Sequence, residues 1–323
     1  MERASPLRCI LVAGLMVFAM LPFAASARDA DTPSATAPAT SFTTSDGVAL
    51  AYDVAGKGPP AVFVHGGPGS GSHAFRLLSD GALETHFRIT WLDQRGSGAS
   101  ASASDGDYSL DRQVADLEEL RRHLGLDRWT LVAYSFGGLI AQAYAEAHPD
   151  RVTAIVHVSS LLNLPASMES SAARGHALIP ADRRPPIDPA APLPQRYFMV
   201  LGMLAQAGLA DRLQYADDAA RIRGQALLAA NRPKAANTAM AQGLFRGDPG
   251  RYVQDMSPAT AQVGVPVLVV AGREDYVTGT KHHEAFRYPD ATTVLLDGGH
   301  MAFFEDAARF RRALADFAAR LPR

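Results

Sequence analysis

A serine stands at an abrupt change of pattern in "LVAYSFGGLI", residues 131–140. An apolar, strand-like run ends at Ser135, and Gly137 and Gly138 follow where a helix-like pattern begins. A serine on such a tight strand-to-helix turn can act as a nucleophile when a base lies within hydrogen-bond reach. The usual pattern is G-x-S-x-G, and Ala133 replaces its first glycine, a change of one methyl group that we expect to be tolerated. A serine that only caps the next helix is the alternative interpretation.

A base and an acid follow later in the chain. His300 comes after the last predicted strand, in "LLDGGH", and Asp275 comes after the preceding strand, in "LVVAGREDYV". In that arrangement histidine removes the hydroxyl proton, while the acid orients the imidazole and stabilises its protonated form. Serine, acid and histidine in this chain order are typical of α/β-hydrolase triads. Glu274 and Asp297 are alternative acids, and His300 taken alone would be an ordinary loop histidine.

The stretch "FVHGGPGSG", residues 63–71, leaves a predicted buried strand through a sharp, glycine-rich turn. Exposed backbone amides in such a turn can stabilise the oxyanion of a tetrahedral intermediate. By analogy with the usual arrangement, the amides of Gly67 and Phe136 are the predicted oxyanion hole. A plain glycine turn is the alternative, whereas a phosphate-binding loop would need a following Gly-Lys-Ser/Thr.

The candidate catalytic residues must be positioned by the surrounding strands and helices. In the sequence, short apolar runs alternate with helical patterns. That alternation predicts an α/β fold with a mostly parallel sheet and helices on both faces. The alternation of strands and helices stops between residues 162 and 258. We interpret this segment as a helical cap inserted over the carboxyl edge of the sheet, where ligands bind in such folds. The predicted core is then 42–161 and 259–323, and a separate second domain is the alternative. The predicted elements are strands at 48–54, 61–64, 87–92, 129–133, 152–158, 265–271 and 292–296, and helices capped by Ser109 and over 137–147, 196–206, 217–230 and 303–321.

Several polar and aromatic groups have weaker assignments. Asp93 and Arg95, in "WLDQRGSGAS", are predicted to brace loops rather than to bind substrate. His282 and His283 are adjacent, diverge by about 100° on a helix and are expected at the surface. A cluster in the cap could line an apolar pocket or simply pack against the sheet: Tyr197, Phe198, Met199, Met203 and Leu204.

The N-terminus and the composition restrict the class of protein. Residues 1–27 combine Arg3 and Arg8, an apolar run and the small-residue sequence Ala25-Ser26-Ala27, which predicts a cleaved signal peptide; an uncleaved membrane anchor is the alternative. Residues 28–41 are rich in Ala, Thr, Pro and Ser and predict a flexible linker. The mature chain is expected to be periplasmic or secreted, without stable membrane insertion after cleavage. With a formal net charge of −2, nucleic acid is not an expected partner.

Two motifs together resemble the proline iminopeptidase family of α/β hydrolases. They are His65-Gly66-Gly67-Pro68-Gly69 and Asp93-Gln94-Arg95-Gly96-Ser97-Gly98. The resemblance implies a Ser135, Asp275 and His300 triad, an oxyanion hole at Gly67 and Phe136, cleavage of N-terminal residues such as proline, and no cofactor. Phe136 departs from the family, which often has tryptophan there.

The cap departs from the family more seriously. Family members hold the substrate's ammonium group with cap glutamates, because a desolvated charge needs a partner. Between Leu162 and Pro258 the single glutamate is Glu169, although five aspartates could substitute: Asp211, Asp217, Asp218, Asp248 and Asp255.

The sequence therefore predicts an exported serine hydrolase that needs no cofactor or metal and acts on a small molecule or short peptide. An aminopeptidase related to proline iminopeptidases is the leading interpretation. A carboxylesterase or lactonase with the same triad is the alternative, and a non-catalytic binding protein on the same fold is a third. The substrate-binding residues and the oligomeric state are left unassigned.

Overall fold

The computed structural model describes residues 40–233, 236–246 and 248–321. The predicted signal peptide and the linker up to residue 39 lie outside these residues. The predicted end of the linker at residue 41 is wrong, because Thr40–Thr43 form a strand that pairs with the next one. β-branched threonines and Phe42 favour an extended chain over a flexible one here. Among the described helices, none combines the length and apolarity needed to span a membrane.

The described residues contain one eight-stranded sheet with the order β1-β2-β4-β3-β5-β6-β7-β8. β2 pairs antiparallel with both β1 and β4, and every other neighbouring pair is parallel. The predicted mostly parallel sheet is therefore confirmed. The strands are β1 (Thr40–Thr43), β2 (Ala49–Ala55), β3 (Pro60–Val64), β4 (Arg88–Leu92), β5 (Trp129–Tyr134), β6 (Val152–Val158), β7 (Val267–Gly272) and β8 (Ala291–Leu296).

The central strands are buried on both faces, which explains their continuous apolar sequences. In β3, Ala61 and Phe63 belong to one apolar cluster, whereas Val62 and Val64 belong to the other. Helices cover the two faces separately, as predicted. The second and third helices pack on one face, and the first, eighth and ninth pack on the other. These helices are α1 (His73–Ser79), α2 (Leu110–His123), α3 (Gly137–Ala147), α8 (Ala302–Glu305) and α9 (Ala307–Ala318).

Two helix boundaries show how local side chains set the elements. Ser109 caps α2 as predicted, because its Oγ accepts a hydrogen bond from Arg112 N. The predicted single helix over 303–321 is wrong. It is broken at Asp306, whose backbone leaves the helical region and whose carboxylate accepts from Arg309 N to start α9. A short acidic side chain competes for backbone N–H groups in this way.

Helices fill the predicted cap between β6 and β7. They are α4 (Leu164–Leu178), α5 (Leu193–Gln206), α6 (Asp218–Ala230) and α7 (Ala239–Arg246), joined in part by short 3₁₀ turns. Met168 of α4 and Leu201 of α5 belong to the same buried cluster as Leu139 of α3. The cap therefore shares a core with the sheet, which argues against the alternative of a separate second domain.

Candidate active site

Ser135 occupies the turn between β5 and α3 with a left-handed backbone, φ 53°. This conformation costs an L-residue roughly 1 kcal/mol or more, and such strain is commonly stored at functional turns. The turn is held because Ser135 N donates to Val158 O, while Ser135 O accepts from Leu161 N. The side chain of Ser135 lines a cavity between the sheet and the cap. The strained turn thus presents the hydroxyl to this cavity.

Close backbone approach explains the small residues around this turn. A Cβ added to Gly137 would lie 2.8 Å from His65 O and closer still to Val64 O. A Cβ added to Gly138 would lie 2.7 Å from Leu161 O. Ala133, in contrast, is fully buried in β5 and pairs in register with Val64 and His157, as expected for a tolerated replacement.

Gly137→Ala is expected to lower the free energy of unfolding by about 3 kcal/mol, because its methyl group would overlap backbone oxygens that cannot retreat. Urea unfolding followed by circular dichroism measures this loss. Gly202→Ala in α5 is the matched control, since a Cβ there meets nothing within 4 Å. The control is expected to leave stability unchanged or to raise it by up to about 1 kcal/mol. Equal midpoints for the two variants would contradict the account of close approach.

The three predicted triad residues lie together at the carboxyl edge of the sheet. His300 Nε2 lies 3.0 Å from Ser135 Oγ, and His300 Nδ1 lies 3.1 and 3.0 Å from the two carboxylate oxygens of Asp275. All three side chains are buried. The arrangement is a continuous hydrogen-bond path from a hydroxyl through an imidazole to a carboxylate, which can move a proton off Ser135.

The alternative acids lie elsewhere. Glu274 is exposed, and Asp297 is an exposed partner of Arg273 at 2.9 Å. Asp275 instead accepts backbone hydrogen bonds from Val277 N and Thr278 N at 3.0 and 3.1 Å. Burial raises the pKa of Asp275, but the neighbouring imidazole and the bonds from Thr278 outweigh burial and hold the pKa below its ordinary value. The carboxylate therefore remains ionised beside the histidine.

Glu305 holds the loop that carries His300, a contact that the sequence analysis did not find. Its Oε2 accepts from Gly299 N at 2.7 Å, and its Oε1 accepts from Ala216 N and Asp217 N of the cap at 2.9 Å. Burial raises the pKa of Glu305 despite these three backbone donors. The feature of the sequence that could have indicated this contact is the position of Glu305, five residues after His300 on α8. Glu305 thus joins the histidine loop to the cap.

Glu305→Gln is expected to lower kcat about 10-fold and stability by about 1–2 kcal/mol. A glutamine offers one carbonyl oxygen, so its NH₂ group would face a backbone N–H at Gly299 or at the cap. Steady-state kinetics and thermal unfolding measure the two effects. Glu284→Gln, at an exposed position, is the control and is expected to match the unsubstituted protein. Unchanged kcat and unfolding temperature in Glu305→Gln would contradict the role of this carboxylate.

The predicted oxyanion residues, Gly67 and Phe136, both line the cavity next to Ser135. Within the described part of the chain, their amides donate no hydrogen bond to a protein group. The glycine turn is fixed by His65, whose Nε2 accepts from Gln94 N at 3.0 Å and whose Nδ1 donates to Gly66 O at 2.8 Å. Two unused amides beside a nucleophile are what an oxyanion requires.

The cavity walls come mainly from the cap. Of the predicted pocket residues, Tyr197 and Phe198 line the cavity, whereas Met199, Met203 and Leu204 do not. Leu204 is fully buried in the core and Met199 is exposed. The full lining is Gly67, Pro68, Ser135, Phe136, Leu161, Leu164, Ser167, Met168, Ser171, Tyr197, Phe198, Leu201, Ala241, Phe245 and Val277.

The eight acidic residues of the cap, here called the cap acids, do not line this cavity. Glu169 pairs with Arg196 at 2.8 Å, and Asp211 pairs with Arg221 at 2.8 Å. The others also have local partners: Asp182 pairs with Arg183, Asp188 accepts from Ala190 N, Asp217 caps α6, Asp218 pairs with Arg212 and Arg221, Asp248 accepts from Gly250 N, and Asp255 accepts from Ser257 N.

The remaining polar predictions have mixed outcomes. Asp93 and Arg95 are structural, as predicted: Asp93 accepts from Ser72 N at 2.7 Å, and the buried Arg95 pairs with Asp116 at 2.6 Å. The prediction of a surface position is wrong for His282. Its Nε2 accepts from Leu162 N at 2.8 Å, and burial lowers its pKa to about 4.

The described ranges contain no group of three or more His, Cys, Asp or Glu side chains able to hold a metal ion.

Comparison with known proteins agrees with this geometry. A family model described as alpha/beta hydrolase fold matches residues 59–307. The chain belongs to this α/β hydrolase family, and its predicted fold class is confirmed.

Within the family, the chain is similar to proline iminopeptidases. It is 43% identical over 120 residues to a probable proline iminopeptidase of Streptomyces coelicolor, covering 34% of this chain and 36% of that protein. It is 38% identical over 117 residues to a proline iminopeptidase of Arabidopsis thaliana, covering 35% of this chain and 30% of that protein. Each match spans about a third of the relative's length. The resemblance predicted from the two motifs is confirmed.

Solved structures agree on the fold. A proline iminopeptidase-related protein from Thermus thermophilus superposes with a TM-score of 0.73 at 23% identity, covering 88% of this chain and 98% of that one. An esterase from Exiguobacterium antarcticum gives a TM-score of 0.63 at 18% identity, covering 87% and 100%. At these identities, the likeness concerns the fold alone.

Proposed function

We propose that this protein is a serine hydrolase that works through an acyl-enzyme intermediate. The observation that carries the proposal is the continuous path from Ser135 Oγ through His300 to Asp275, with heavy-atom distances of 3.0 to 3.1 Å. This path ends at a strained turn that faces a cavity. A protein that only binds a ligand on this fold has no need of such an arrangement, so the geometry favours an enzyme.

The proposed reaction starts with attack of Ser135 Oγ on the acyl carbon while His300 Nε2 takes the hydroxyl proton. The Gly67 and Phe136 amides receive the oxyanion, and Asp275 stabilises the imidazolium through its Nδ1–H. The leaving group then takes the proton from His300 Nε2 as its bond to the acyl carbon breaks. Water, deprotonated by His300, attacks the acyl-enzyme, and Ser135 regains its proton as the acid product leaves. No cofactor is needed for this sequence.

A fluorophosphonate probe tests the nucleophile directly, because it forms a covalent bond with an activated serine. We expect labelling of the unsubstituted protein at Ser135 and none in Ser135→Ala. Ser104→Ala, at an exposed serine, is the matched control and is expected to label normally. Labelling that persists in Ser135→Ala would assign the nucleophile to another residue.

Aminopeptidase action on small N-terminal residues such as proline is the first substrate proposal. Its support is the similarity to proline iminopeptidases and the glycine-rich motif from His65 to Gly69, by which the sequence resembles that family. Hydrolysis of a prolyl arylamide measures this activity. An absence of turnover by a protein that labels with fluorophosphonate would remove it.

A carboxylesterase or lactonase is the second candidate, and one observation favours it. The cavity beside Ser135 is walled by apolar side chains, serines and Tyr197, with no acidic group among its lining residues in the described chain. Turnover of a short-chain acyl ester, with no turnover of the prolyl arylamide, would support this candidate over the first.

Export is a further part of the proposal, supported by the basic start, apolar run and small residues of positions 1–27. We expect the mature chain to begin at Arg28 and to be found in the periplasm or the medium. Cell fractionation with mass spectrometry of the N-terminus tests this. An intact leader on cytoplasmic protein would contradict it.

A further inference from the structure

The cavity beside Ser135 is built from apolar side chains of three cap helices. Leu164 and Met168 come from α4, Leu201 comes from α5, and Phe245 comes from α7. Leu161, before α4, and Val277, after β7, complete the wall near the triad. Side chains of this kind stabilise an apolar group by removing its surface from water, and none of them carries a negative charge that could pair with a cation.

The two serines in the cap wall have their hydroxyl protons engaged. Ser171 Oγ donates to Val277 O at 3.0 Å, and Ser167 Oγ lies 3.1 Å from both Thr278 O and Asn163 O. Both residues are buried. These hydroxyls therefore tie α4 to the loop after β7, the loop that carries Asp275.

A substrate ammonium group would have no counter-charge in this cavity. Every cap acid has a partner elsewhere, and the cap positions outside the described ranges, Lys234, Ala235 and Gly247, are not acidic. Removing an ammonium group from water without a carboxylate partner is costly, and the cost would recur in the transition state. The cavity therefore discriminates against a free amine on the acyl side of the scissile bond.

Resting on the proposed serine hydrolase, and choosing the second of its two substrate candidates over the first, we infer that this cavity is an acyl-binding site for an uncharged, apolar acyl group. The substrate class is then esters, lactones or N-blocked amides with a hydrocarbon acyl chain, rather than peptides with a free N-terminal amine. In this arrangement the hydrocarbon chain of the acyl group packs against Met168 and Leu201, and the acyl carbon lies next to Ser135 Oγ.

A pair of esters that differ only at the tip of the acyl chain tests the inference. The substrates are 4-nitrophenyl hexanoate and 4-nitrophenyl 6-aminohexanoate at pH 7, where the second carries an ammonium group. We expect kcat/KM to be at least about 100-fold higher for hexanoate, as the loss of a buried charge partner implies. Prolyl 4-nitroanilide and its N-acetyl form make a second pair, with the N-acetyl form expected to react faster.

The dependence of kcat/KM on the length of the acyl chain tests whether the acyl group binds in this cavity. Each methylene that leaves water adds about fourfold in binding, so kcat/KM is expected to rise from acetate to hexanoate. Met168→Ala opens the wall and is expected to raise the ratio of octanoate to acetate turnover at least about fivefold. Met199→Ala, on the same cap but exposed and outside the cavity, is the matched control and is expected to change the ratio less than twofold.

Fluorophosphonate labelling is run alongside and separates the two levels of failure. A protein that does not label at Ser135 refutes the serine hydrolase itself. A protein that labels, yet hydrolyses the amino ester or the free prolyl anilide as well as its uncharged partner, overturns the acyl-site inference alone. Labelling with no turnover of any ester, or an octanoate ratio that moves equally in both methionine variants, overturns it too.

Discussion

Ser135→Ala is expected to lower kcat roughly 10⁵-fold or more. The residual rate would be the one that substrate binding and the oxyanion amides support without the nucleophile. The hydroxyl is the group that would bond to the acyl carbon, and the other side chains of its turn, Tyr134 and Phe136, cannot replace it. His300 would remain 3.0 Å from an empty position and could at best activate water. Single-turnover kinetics with the preferred ester measure the loss.

Folding must be shown to survive this substitution. Alanine keeps the same Cβ at φ 53°, so the strain of the turn is unchanged and stability is expected to stay within about 1 kcal/mol. Ser104→Ala again serves as the control. A Ser135→Ala protein that is folded and retains a hundredth of the normal rate would rule out the proposed nucleophile.

Asp275→Asn is expected to lower kcat about 10⁴-fold. The amides of Val277 and Thr278 both donate to Asp275 Oδ1, so asparagine would turn its carbonyl oxygen toward them and its NH₂ toward His300. His300 Nδ1 would then have to accept, which leaves the ring proton on Nε2. An imidazole in that tautomer cannot take the proton of Ser135.

The neighbouring acids provide matched controls for this substitution. Glu274→Gln and Asp297→Asn change exposed carboxylates near the same loops and are expected to alter kcat less than about threefold. Steady-state kinetics of the three variants at one pH make the comparison. A loss in Glu274→Gln as large as that in Asp275→Asn would reassign the acid.

The sheet and the triad were predictable from local pattern. Continuous apolar runs such as Ala61–Val64 are distinctive because they are buried on both faces, and the structure extends them by one residue to Pro60. α3 begins and ends at Gly137 and Ala147, as predicted, because the close approach of Gly137 and the following His148-Pro149 mark its ends. Chain order then selected Asp275 and His300.

The cap was less predictable because its helices depend on tertiary contacts. α4 contains serines, alanines and Gly175, which weaken its apolar periodicity, and a Cβ at Gly175 would meet Val200 of α5 at 2.7 Å. The environment of His282 likewise depends on Leu162, which is far away in sequence. Whether any cap acid faces the nucleophile depends on the direction in which its side chain points. The composition of the cap carries no information on that direction.

The segment 214–217 of the cap has a consequence for how a substrate enters. Gln214 O accepts from Met301 N, and Ala216 N and Asp217 N donate to Glu305, so this segment is bonded on the C-terminal side of His300. Glu305 also binds Gly299 on the N-terminal side. Separating the cap from the histidine loop at this point would break the hydrogen bonds on both sides of His300, so a substrate route that leaves the triad intact lies away from this segment.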